Sequence, residues 1–246
     1  MTYRARSPQS SHGRQAEARR NDLVVLEAAR DVFTAQGAAA PVSAVAERAG
    51  VGMGTLYRRY GSKTELLQRL CVLAMQQALA AADEALAAAD PWTGLAGYIR
   101  ACVGLRSGAL ASLAGQIETT AEMRETARLS MARAAEIVAR AHDTGSLRAD
   151  VTAMDITWLI EQFSRRAPDP VDPDEERNVR DRLLAIALAG LQAARAPQAG
   201  QVPQAGQVPQ AGPAPQAPAA PPLPGQPPSP ALYTMRWSPR TRGTTQ

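Results

Sequence analysis

The sequence has few of the side chains on which catalytic and metal sites commonly depend. Aromatic residues make up 4% of its 246 residues, and only two cysteines and two histidines are present. Cys71 and Cys102 lie far apart and form no C-x-x-C pair, which argues against a disulfide framework and favours a reducing compartment. His12 and His142 share no metal-ligand spacing with these cysteines. We therefore predict no metal site and no cofactor.

The motifs of common enzyme classes are also absent. The sequence shows no paired-carboxylate or Ser/His/Asp arrangement, no phosphate loop and no dinucleotide motif. We predict no catalytic residue, and an enzyme is kept only as an alternative. No run approaches the ~20 apolar residues of a membrane span, and no apolar signal core follows the first residues. We expect a cytoplasmic protein that does not contact a membrane.

What the sequence does contain favours helices. Apolar residues make up 45% of the chain, and many of them are alanine. An alanine-rich, aromatic-poor composition with few β-branched runs is typical of helices rather than sheets. Residues 1–70 carry 11 Arg or Lys against 6 Asp or Glu, whereas residues 71–195 carry 13 against 17. A basic N-terminal part attracts phosphates, so it is the candidate for DNA binding.

Two short helices joined by a glycine turn are predicted over residues 42–60. In the first helix, four apolar residues share one face: Val42, Val45, Ala46 and Ala49. Gly50 then fits the left-handed position just past a helix end, where a Cβ is unfavourable. A second helix over 53–60 turns Leu56 inward. Its outward positions are Thr55, Tyr57, Arg58 and Arg59. This is the pattern of a helix-turn-helix, whose second helix enters the major groove of DNA.

The residues around this turn resemble the TetR family of transcriptional regulators. The matching positions are 25–33, Gly37, Val45, Ala46, 49–51, 55–57, Ser62, Lys63 and 65–67. There are two departures from the family pattern. Pro41 stands where the family usually has a Thr or Ser cap, and Gly52 with Met53 replaces a more usual polar pair. The resemblance implies an all-α fold and a dimeric, ligand-responsive DNA-binding regulator.

Carried over position by position, the resemblance also implies a set of DNA-contacting residues. They are Ser43, Gly52, Met53, Thr55, Tyr57, Arg58, Arg59 and Lys63. The phosphates are expected to be positioned by Thr55, Tyr57, Arg59 and Lys63. Base edges are expected to face Ser43, Met53 and Arg58. For Tyr57, partial burial against the first helix is an open alternative.

The composition divides the chain into four parts. A flexible basic arm is predicted over residues 1–18, and a solvated tail without contacts is the alternative. Residues 19–78 are expected to form the helix-turn-helix DNA-binding domain. Residues 79–195 are expected to form a larger helical domain for effector binding and dimerisation. A repeat rich in Pro, Gln and Ala then begins, so residues 196–246 are predicted to be a disordered tail.

Apolar periodicity and capping residues predict about nine helices and no strand. The first helix is expected over residues 19–36. The expected caps of later helices are Ser62 (with Glu65 completing a capping box), Asp90, Asp150 and Asp172.

The last predicted helix has more apolar surface than one side of a small domain can cover. From residue 183 to residue 191 it contains only Ala, Gly and aliphatic residues, so it must be buried on both sides. We predict the homodimer that the resemblance implies, with two helices of each chain in a four-helix bundle. The expected interface residues are Leu184, Leu188 and Leu191. One helix buried deep in a monomer is the alternative.

An effector site is expected between the long helices of the larger domain, where small side chains leave room. Residues 91–165 loosely resemble the regulatory domain of an SbtR-like subgroup. The candidate contacts are Met75, Tyr98, Cys102, Arg106, Met123, Met131, Trp158 and Gln162, with Glu161 as a further polar anchor. Ordinary core packing is the alternative for the apolar members. Three methionines give an adaptable apolar wall, so we expect a small hydrophobic effector that is uncharged or weakly charged.

Together, the residues and the resemblance predict a sequence-specific DNA-binding transcriptional regulator. We expect a repressor that binds a palindromic double-stranded operator as a homodimer and is released by its effector. The alternative to a ligand-released repressor is an architectural DNA-binding protein without an effector.

Overall fold

A computed structural model describes residues 9–113, 115–165, 172–193, 222–229 and 231 of the chain. Within those residues the fold contains eight α-helices and one 3-10 segment, and the only extended pairing is a single bridge between Leu147 and Gln192. The helices are α1 Gln9–Gln36, α2 Val42–Ala49, α3 Met53–Tyr60, α4 Lys63–Ala87, α5 Pro91–Gly104, α6 Ala121–Asp143, α7 Ala153–Ser164 and α8 Pro173–Leu191, and the 3-10 segment is Ser107–Leu113. The predicted all-α class is confirmed. Where a ninth helix was predicted, the chain forms the 3-10 segment.

Helix α1 begins at Gln9, well before the predicted start at Arg19. The predicted arm is therefore wrong for residues 9–18, while residues 1–8 lie outside the described part of the chain. The added segment lacks apolar periodicity, but Arg, Gln, Ala and Glu predominate in it, and their helix propensity extends the helix. The Pro/Gln/Ala repeat that begins at residue 197 also lies outside the described residues.

Side-chain caps fix the start of three helices where they were predicted. Ser62 Oγ accepts a hydrogen bond from the Glu65 amide at 3.1 Å, which begins α4. Asp90 accepts from an amide in the first turn of α5, and Asp172 does the same for α8. These bonds satisfy backbone donors that have no partner inside the helix.

Helix α7 has a different cap from the predicted one. Thr152 and Asp155 exchange hydrogen bonds between side chain and backbone, which is a reciprocal capping box. The box satisfies two amides at once. Asp150 pairs with Arg148 at 2.8 Å instead, so its assignment as the cap is wrong.

Two hydrophobic cores hold the helices together. The first joins α1, α2 and α3 to the N-terminal half of α4, and its most buried side chains include Leu26, Phe33, Leu56 and Leu66. The second joins the C-terminal half of α4 to α5, α6, α7 and α8. Because α4 contributes side chains to both cores, it joins them as one continuous element.

The first core extends beyond the predicted DNA-binding domain. Four later residues belong to it: Leu110, Leu113, Ile117 and Met123. The 3-10 segment packs against α1 and α4, and α6 packs against α4, so both extend this core beyond the N-terminal helices.

Among the described residues, α4 is the one helix long and apolar enough to cross a membrane by length and composition alone. Its buried side chains extend from Leu66 to Ala85 and belong to both cores. This packing inside the protein accounts for the apolar composition of the helix.

Helix α8 has two apolar faces with different surroundings. Leu184 and Leu188 are 4% and 3% exposed, because the second core of the same chain covers them. Their assignment to the dimer interface is therefore wrong, and Leu191 also packs against this core. Three other aliphatic side chains of α8 lie on a separate face and are about half exposed: Val179, Leu183 and Ile186.

The crossing of α5 over the end of α4 depends on Gly94. A Cβ at this position would meet the backbone carbonyl oxygen of Ala85 well inside contact distance. We expect Gly94→Ala to lower the free energy of unfolding by about 1–3 kcal/mol, because backbone atoms must shift to make room. Thermal unfolding followed by circular dichroism measures the change.

The matched control is Gly97→Ala on the same helix, where a new methyl group has open space. This control should be neutral or slightly stabilising, because alanine has the higher helix propensity. Equal destabilisation by the two substitutions would contradict the close helix crossing.

Candidate nucleic-acid interface and ligand cavity

Helices α2 and α3 form the predicted helix-turn-helix. Helix α2 ends at Gly50, whose φ of 66° lies in the left-handed region. The Val51 amide closes this end by donating to the Ala46 carbonyl at 3.0 Å. Val51 and the extended Gly52 follow, and α3 begins at Met53. The bounds of both helices and the left-handed turn are as predicted from the sequence.

The recognition helix α3 has one buried and one exposed side. Leu56 and Tyr60 are buried in the first core. The exposed predicted contacts are Ser43 of α2 and Gly52, Met53, Thr55, Tyr57, Arg58 and Arg59. Tyr57 is 45% exposed, so it is partly covered by the protein and still accessible from the DNA side. Arg58 donates a hydrogen bond to the Thr55 hydroxyl at 3.2 Å. The contacts of these residues with DNA stay a prediction.

A single carboxylate on α1 holds the C-terminal end of α3. Asp22 Oδ1 accepts a hydrogen bond from the Tyr60 hydroxyl and pairs with Arg59 Nε at 2.6 Å. Burial, with the hydrogen bond to Asp22, raises the pKa of Tyr60, so its hydroxyl remains a donor at neutral pH. Arg59 therefore positions α3, a role that competes with the predicted phosphate contact. Asp22 could not be identified from the sequence, because no local pattern links positions 38 residues apart.

Lys63 is the only lysine in the chain and the first residue of α4. Its ammonium nitrogen lies 5.7 Å from the centre of the Phe33 ring, within the range of a cation–π interaction. This contact holds the side chain at the junction of α1 and α4. A positive charge in the first turn of a helix opposes the helix dipole, and a phosphate bound there would offset it.

A cavity of about 740 Å³ lies between α4, α5, the 3-10 segment, α6 and α7. Its walls are mostly apolar. Six of the nine predicted effector residues line it: Met75, Tyr98, Cys102, Met123, Met131 and Glu161. The volume is that of a site for an organic molecule of drug-like size.

Of its three predicted residues, helix α7 brings only Glu161 to the cavity. Trp158 and Gln162 do not line it. The lining residues of α7 are Thr157, Ile160 and Glu161. Successive residues lie about 100° apart around a helix, so Trp158 and Gln162 share a separate side. The assignment of these two residues to the site is corrected accordingly.

Arg106, a predicted polar anchor, also lies outside the cavity lining. Its φ of 51° places it in the left-handed region between α5 and the 3-10 segment. Its side chain pairs with Glu176 of α8 at 3.7 Å. The residue therefore joins two structural elements and does not anchor a ligand in this structure.

Glu161 is the only carboxylate among the residues that line the cavity. It is 2% exposed, and its Oε1 accepts a hydrogen bond from Arg165 Nη2 at 2.9 Å. Arg124 and Arg128 also line the cavity, but both are exposed. The lining thus combines apolar walls with a buried acid on α7 and two solvent-exposed arginines on α6.

Both cysteines line the cavity, and neither has the environment of a reactive thiol. Burial raises the pKa of Cys71 to about 12. Burial also raises the pKa of Cys102 to about 11, although hydrogen bonds with Tyr98 and Ser107 lower it. Both side chains are therefore protonated at neutral pH and are weak nucleophiles. In the part of the chain that the structure describes, no group of three His, Cys, Asp or Glu residues could hold a metal ion.

Two family models match the chain. That of the tetR family of bacterial regulatory proteins matches residues 25–70, and that of the C-terminal domain of SbtR-like transcriptional regulators matches residues 90–193. Together the two matches span more than half of the chain. No curated protein matches it.

Solved structures support the same assignment. The TetR transcription regulatory protein from Mycobacterium vanbaalenii is 28% identical over 72% of this chain and 98% of its own, with a TM-score of 0.51. A TetR transcriptional regulator from Streptomyces coelicolor is 22% identical over 70% of this chain and 98% of its own; its TM-score of 0.52 supports the fold alone. With the exposed recognition helix and the larger helical domain behind it, this chain belongs to the TetR family of DNA-binding transcriptional regulators, which are not enzymes.

Proposed function

We propose that this protein is a homodimeric repressor that binds a palindromic operator and leaves it when a small molecule fills the cavity. The observation that supports this most directly is the path of α4. This helix begins beside the recognition helix, at Lys63. It lines the cavity with Cys71, Ala74, Met75 and Ala78. A ligand that displaces α4 therefore changes the position of α3 relative to DNA.

Release by a ligand requires that the ligand binds the DNA-free arrangement more tightly than the DNA-bound one. A coupling of about 1–3 kcal/mol, which is typical of allosteric proteins, weakens DNA binding about 5- to 150-fold. Because both ends of α4 are packed in cores, the helix moves as a rigid unit and does not bend locally. Packed cores favour discrete arrangements of this kind over continuous deformation.

We assign the functions to segments as follows. Residues 19–78 form the DNA-binding domain, and residues 79–195 form the effector-binding and dimerisation domain. The tail over residues 196–246 is dispensable for operator binding, because a repeat of Pro, Gln and Ala has nothing to bury in a core. The protein acts in the cytoplasm on double-stranded DNA.

At the interface with DNA, α3 enters the major groove. The base edges are read by Ser43, Met53 and Arg58. The phosphates are contacted by Thr55, Tyr57 and Lys63. Gly52 lets the backbone approach the DNA closely, since it is exposed and carries no side chain. Arg59 contributes indirectly, because its pairing with Asp22 sets the orientation of α3.

We place the dimer interface on the exposed face of α8, with α7 beside it. Val179, Leu183 and Ile186 form an aliphatic row on this face. The occupant that we propose is a second copy of the chain. A palindromic operator requires two DNA-binding domains related by a two-fold axis. An interface made by the same surface of both subunits supplies that axis. Burying these aliphatic side chains between two subunits would remove them from water.

The cavity favours a mostly apolar effector. Its methionines, alanines and aliphatic side chains offer contacts without hydrogen bonds, and the carboxylate of Glu161 lies in the wall. We propose a compact hydrophobic molecule with a hydrogen-bond donor that faces Glu161. A strongly anionic molecule such as a sugar phosphate is disfavoured there, because the buried wall offers a carboxylate.

An architectural DNA-binding protein without an effector is the second candidate. The cavity argues against it, because protein interiors are close-packed and voids much larger than a water molecule are few. The two candidates differ in one measurable property. Only the regulator loses its DNA when a cavity ligand is added.

The test of the proposed function has two stages. DNA selected by the purified protein from a random duplex pool should converge on a palindrome. A library of small hydrophobic compounds is then screened for loss of that duplex by fluorescence anisotropy. We expect some compounds to release the DNA with a saturable dependence on concentration. Selection of a palindrome with no releasing compound would favour the architectural protein.

Replacing Arg58 and replacing Lys63 are expected to change DNA binding in different ways. Arg58→Ala should reduce discrimination at one base pair by about 1–3 kcal/mol, because a base-edge contact is lost. Lys63→Ala should weaken binding to all sequences and lower the slope of log affinity against log salt by about 0.9. Titrations of the selected duplex and of its single-base variants, at several salt concentrations, measure both effects.

Arg133→Ala, which removes a positive charge from the surface of α6, is the control and should change neither quantity. Uniform weakening by Arg58→Ala on every duplex would show that Arg58 does not read a base.

The dimer proposal predicts opposite outcomes for neighbouring leucines of α8. Leu183→Glu should give a folded monomer, because an unpaired charge at a subunit interface costs several kcal/mol. Leu184→Glu should unfold the larger domain, since its side chain lies in the core of the same chain. Sedimentation velocity and circular dichroism distinguish the two results.

Ala185→Glu introduces the same charge at an exposed position of α8 that points away from the aliphatic row, and it should leave the dimer intact. A Leu183→Glu protein that sediments as a dimer would exclude this face as the interface.

The cavity proposal predicts that a variant can bind DNA but no longer respond to effector. Cys102 is 1% exposed and lines the cavity, so Cys102→Trp should fill the space that the ligand needs. We expect operator affinity near that of the unmodified protein and loss of release by compounds found in the screen. Arg100→Trp, at an exposed position of the same helix, should be released normally. Normal release of the Cys102→Trp protein would mean that the effector binds elsewhere.

A further inference from the structure

Arg30 of α1 joins three parts of the fold through one buried side chain. Its Nη1 donates a hydrogen bond to the Leu105 carbonyl at 2.9 Å, just after α5. Its Nη2 donates to Gln77 Oε1 of α4 at 2.6 Å. The residue is 8% exposed. The guanidinium therefore connects the DNA-binding domain to two helices of the larger domain.

Burying the Arg30 guanidinium in this way lowers the stability of the folded protein. Among the described residues, no carboxylate forms an ion pair with Arg30, and its Nε has no hydrogen-bond partner. Burial lowers the pKa of Arg30 and outweighs the favourable charges of Glu27 and Asp31. A buried charge without a paired counterion is often less stable than an apolar side chain of the same size. Stability alone therefore does not account for an arginine at this position.

Both partners of Arg30 adjoin the cavity wall. Gln77 lies on α4 between Met75 and Ala78, which line the cavity. Leu105 is followed within three residues by Ser107 and Gly108, the first lining residues of the 3-10 segment. A ligand that displaces either part of the wall therefore changes a hydrogen bond to Arg30.

A second polar contact of α1 lies at the recognition helix, besides the pairing of Asp31 with Arg48 of α2. Asp22, on the same helix, holds Tyr60 and Arg59 of α3. Eight residues separate Asp22 from Arg30, which is about 12 Å along a helix. Helix α1 thus has one polar contact at the cavity wall and another at the recognition helix, with core side chains such as Val25 and Leu26 between them.

We propose that Arg30 is a positioning residue that couples the cavity wall to the recognition helix through α1. This route runs beside the direct continuation of α3 into α4. Its role in effector release rests on the proposed function, but the mechanical link itself does not. Coupling between two sites is reciprocal, so DNA binding at α3 must alter the cavity wall if the wall controls α3.

This reciprocity gives a test that needs no effector. Amide hydrogen exchange is measured by mass spectrometry on the full chain, with and without a saturating amount of the duplex selected from the random pool. In the unmodified protein, DNA should change the exchange rate of residues 105–113 by about fivefold or more, which is the lower end of usual coupling factors. In the Arg30→Met protein, with DNA bound to the same extent, this change should be clearly reduced, because only the route through α4 remains.

Two further variants keep the test decisive. Arg100→Met, which removes an exposed arginine of α5, should retain the full response to DNA. Gln77→Leu removes one partner of Arg30 and should reduce the response. If circular dichroism shows that the Arg30→Met protein is unfolded, the Gln77→Leu protein provides the test instead.

Two results would overturn the inference. One is an unmodified protein in which residues 105–113 do not respond to DNA. The other is an Arg30→Met or Gln77→Leu protein that responds fully. A compound screen that finds no releasing molecule would contradict the proposed effector release but not the link through Arg30. The two proposals can therefore be contradicted separately.

Discussion

The rest of the structure depends on α4 being a single unbroken helix shared by two hydrophobic cores. Its first half completes the core of the three N-terminal helices, and its second half packs with α5 to α8. A hydrogen bond from the Glu65 amide to Ser62 fixes where the helix starts, directly after the recognition helix. A flexible linker between two domains would let each one move alone. A helix buried in both cores gives the DNA-binding domain and the cavity a common rigid element.

The cavity exists because small side chains occupy the places where these helices come close. Alanines of α4 and α6 line it, and so does Gly108 of the 3-10 segment. A Cβ at Gly108 would lie 2.5 Å from the Cα of Glu161, so only glycine lets this segment pack closely on α7. The same side chains that bring the backbones together therefore leave an apolar space between them. The small side chains thus account both for the close packing of the backbones and for the cavity.

Local chemistry determined much of what the sequence predicted correctly. Gly50 requires a left-handed turn, which fixes the end of α2, and the capping residues Ser62, Asp90 and Asp172 fix the starts of three helices. The exposed side of α3 also followed from its pattern, because the apolar Leu56 indicates the buried direction of so short a helix. Each of these features depends on residues within a few positions of one another. They can therefore be read without knowing what packs nearby.

Only the tertiary structure decided which helix faces meet. In α8, apolar residues surround the helix, so the pattern could not tell the buried Leu184 from the exposed Leu183. The cavity face of α7 and the contacts of Asp22 and Arg30 were likewise undetermined, because they join positions far apart in the chain. The sequence by itself determined the helices, the turn between α2 and α3, and the family, since these depend on local geometry and a fixed motif. The contacts of Asp22 and Arg30, the cavity and the exposed face of α8 arise only when the helices pack. Whether a side chain is buried depends on the surface that covers it, and one segment of sequence does not specify that surface.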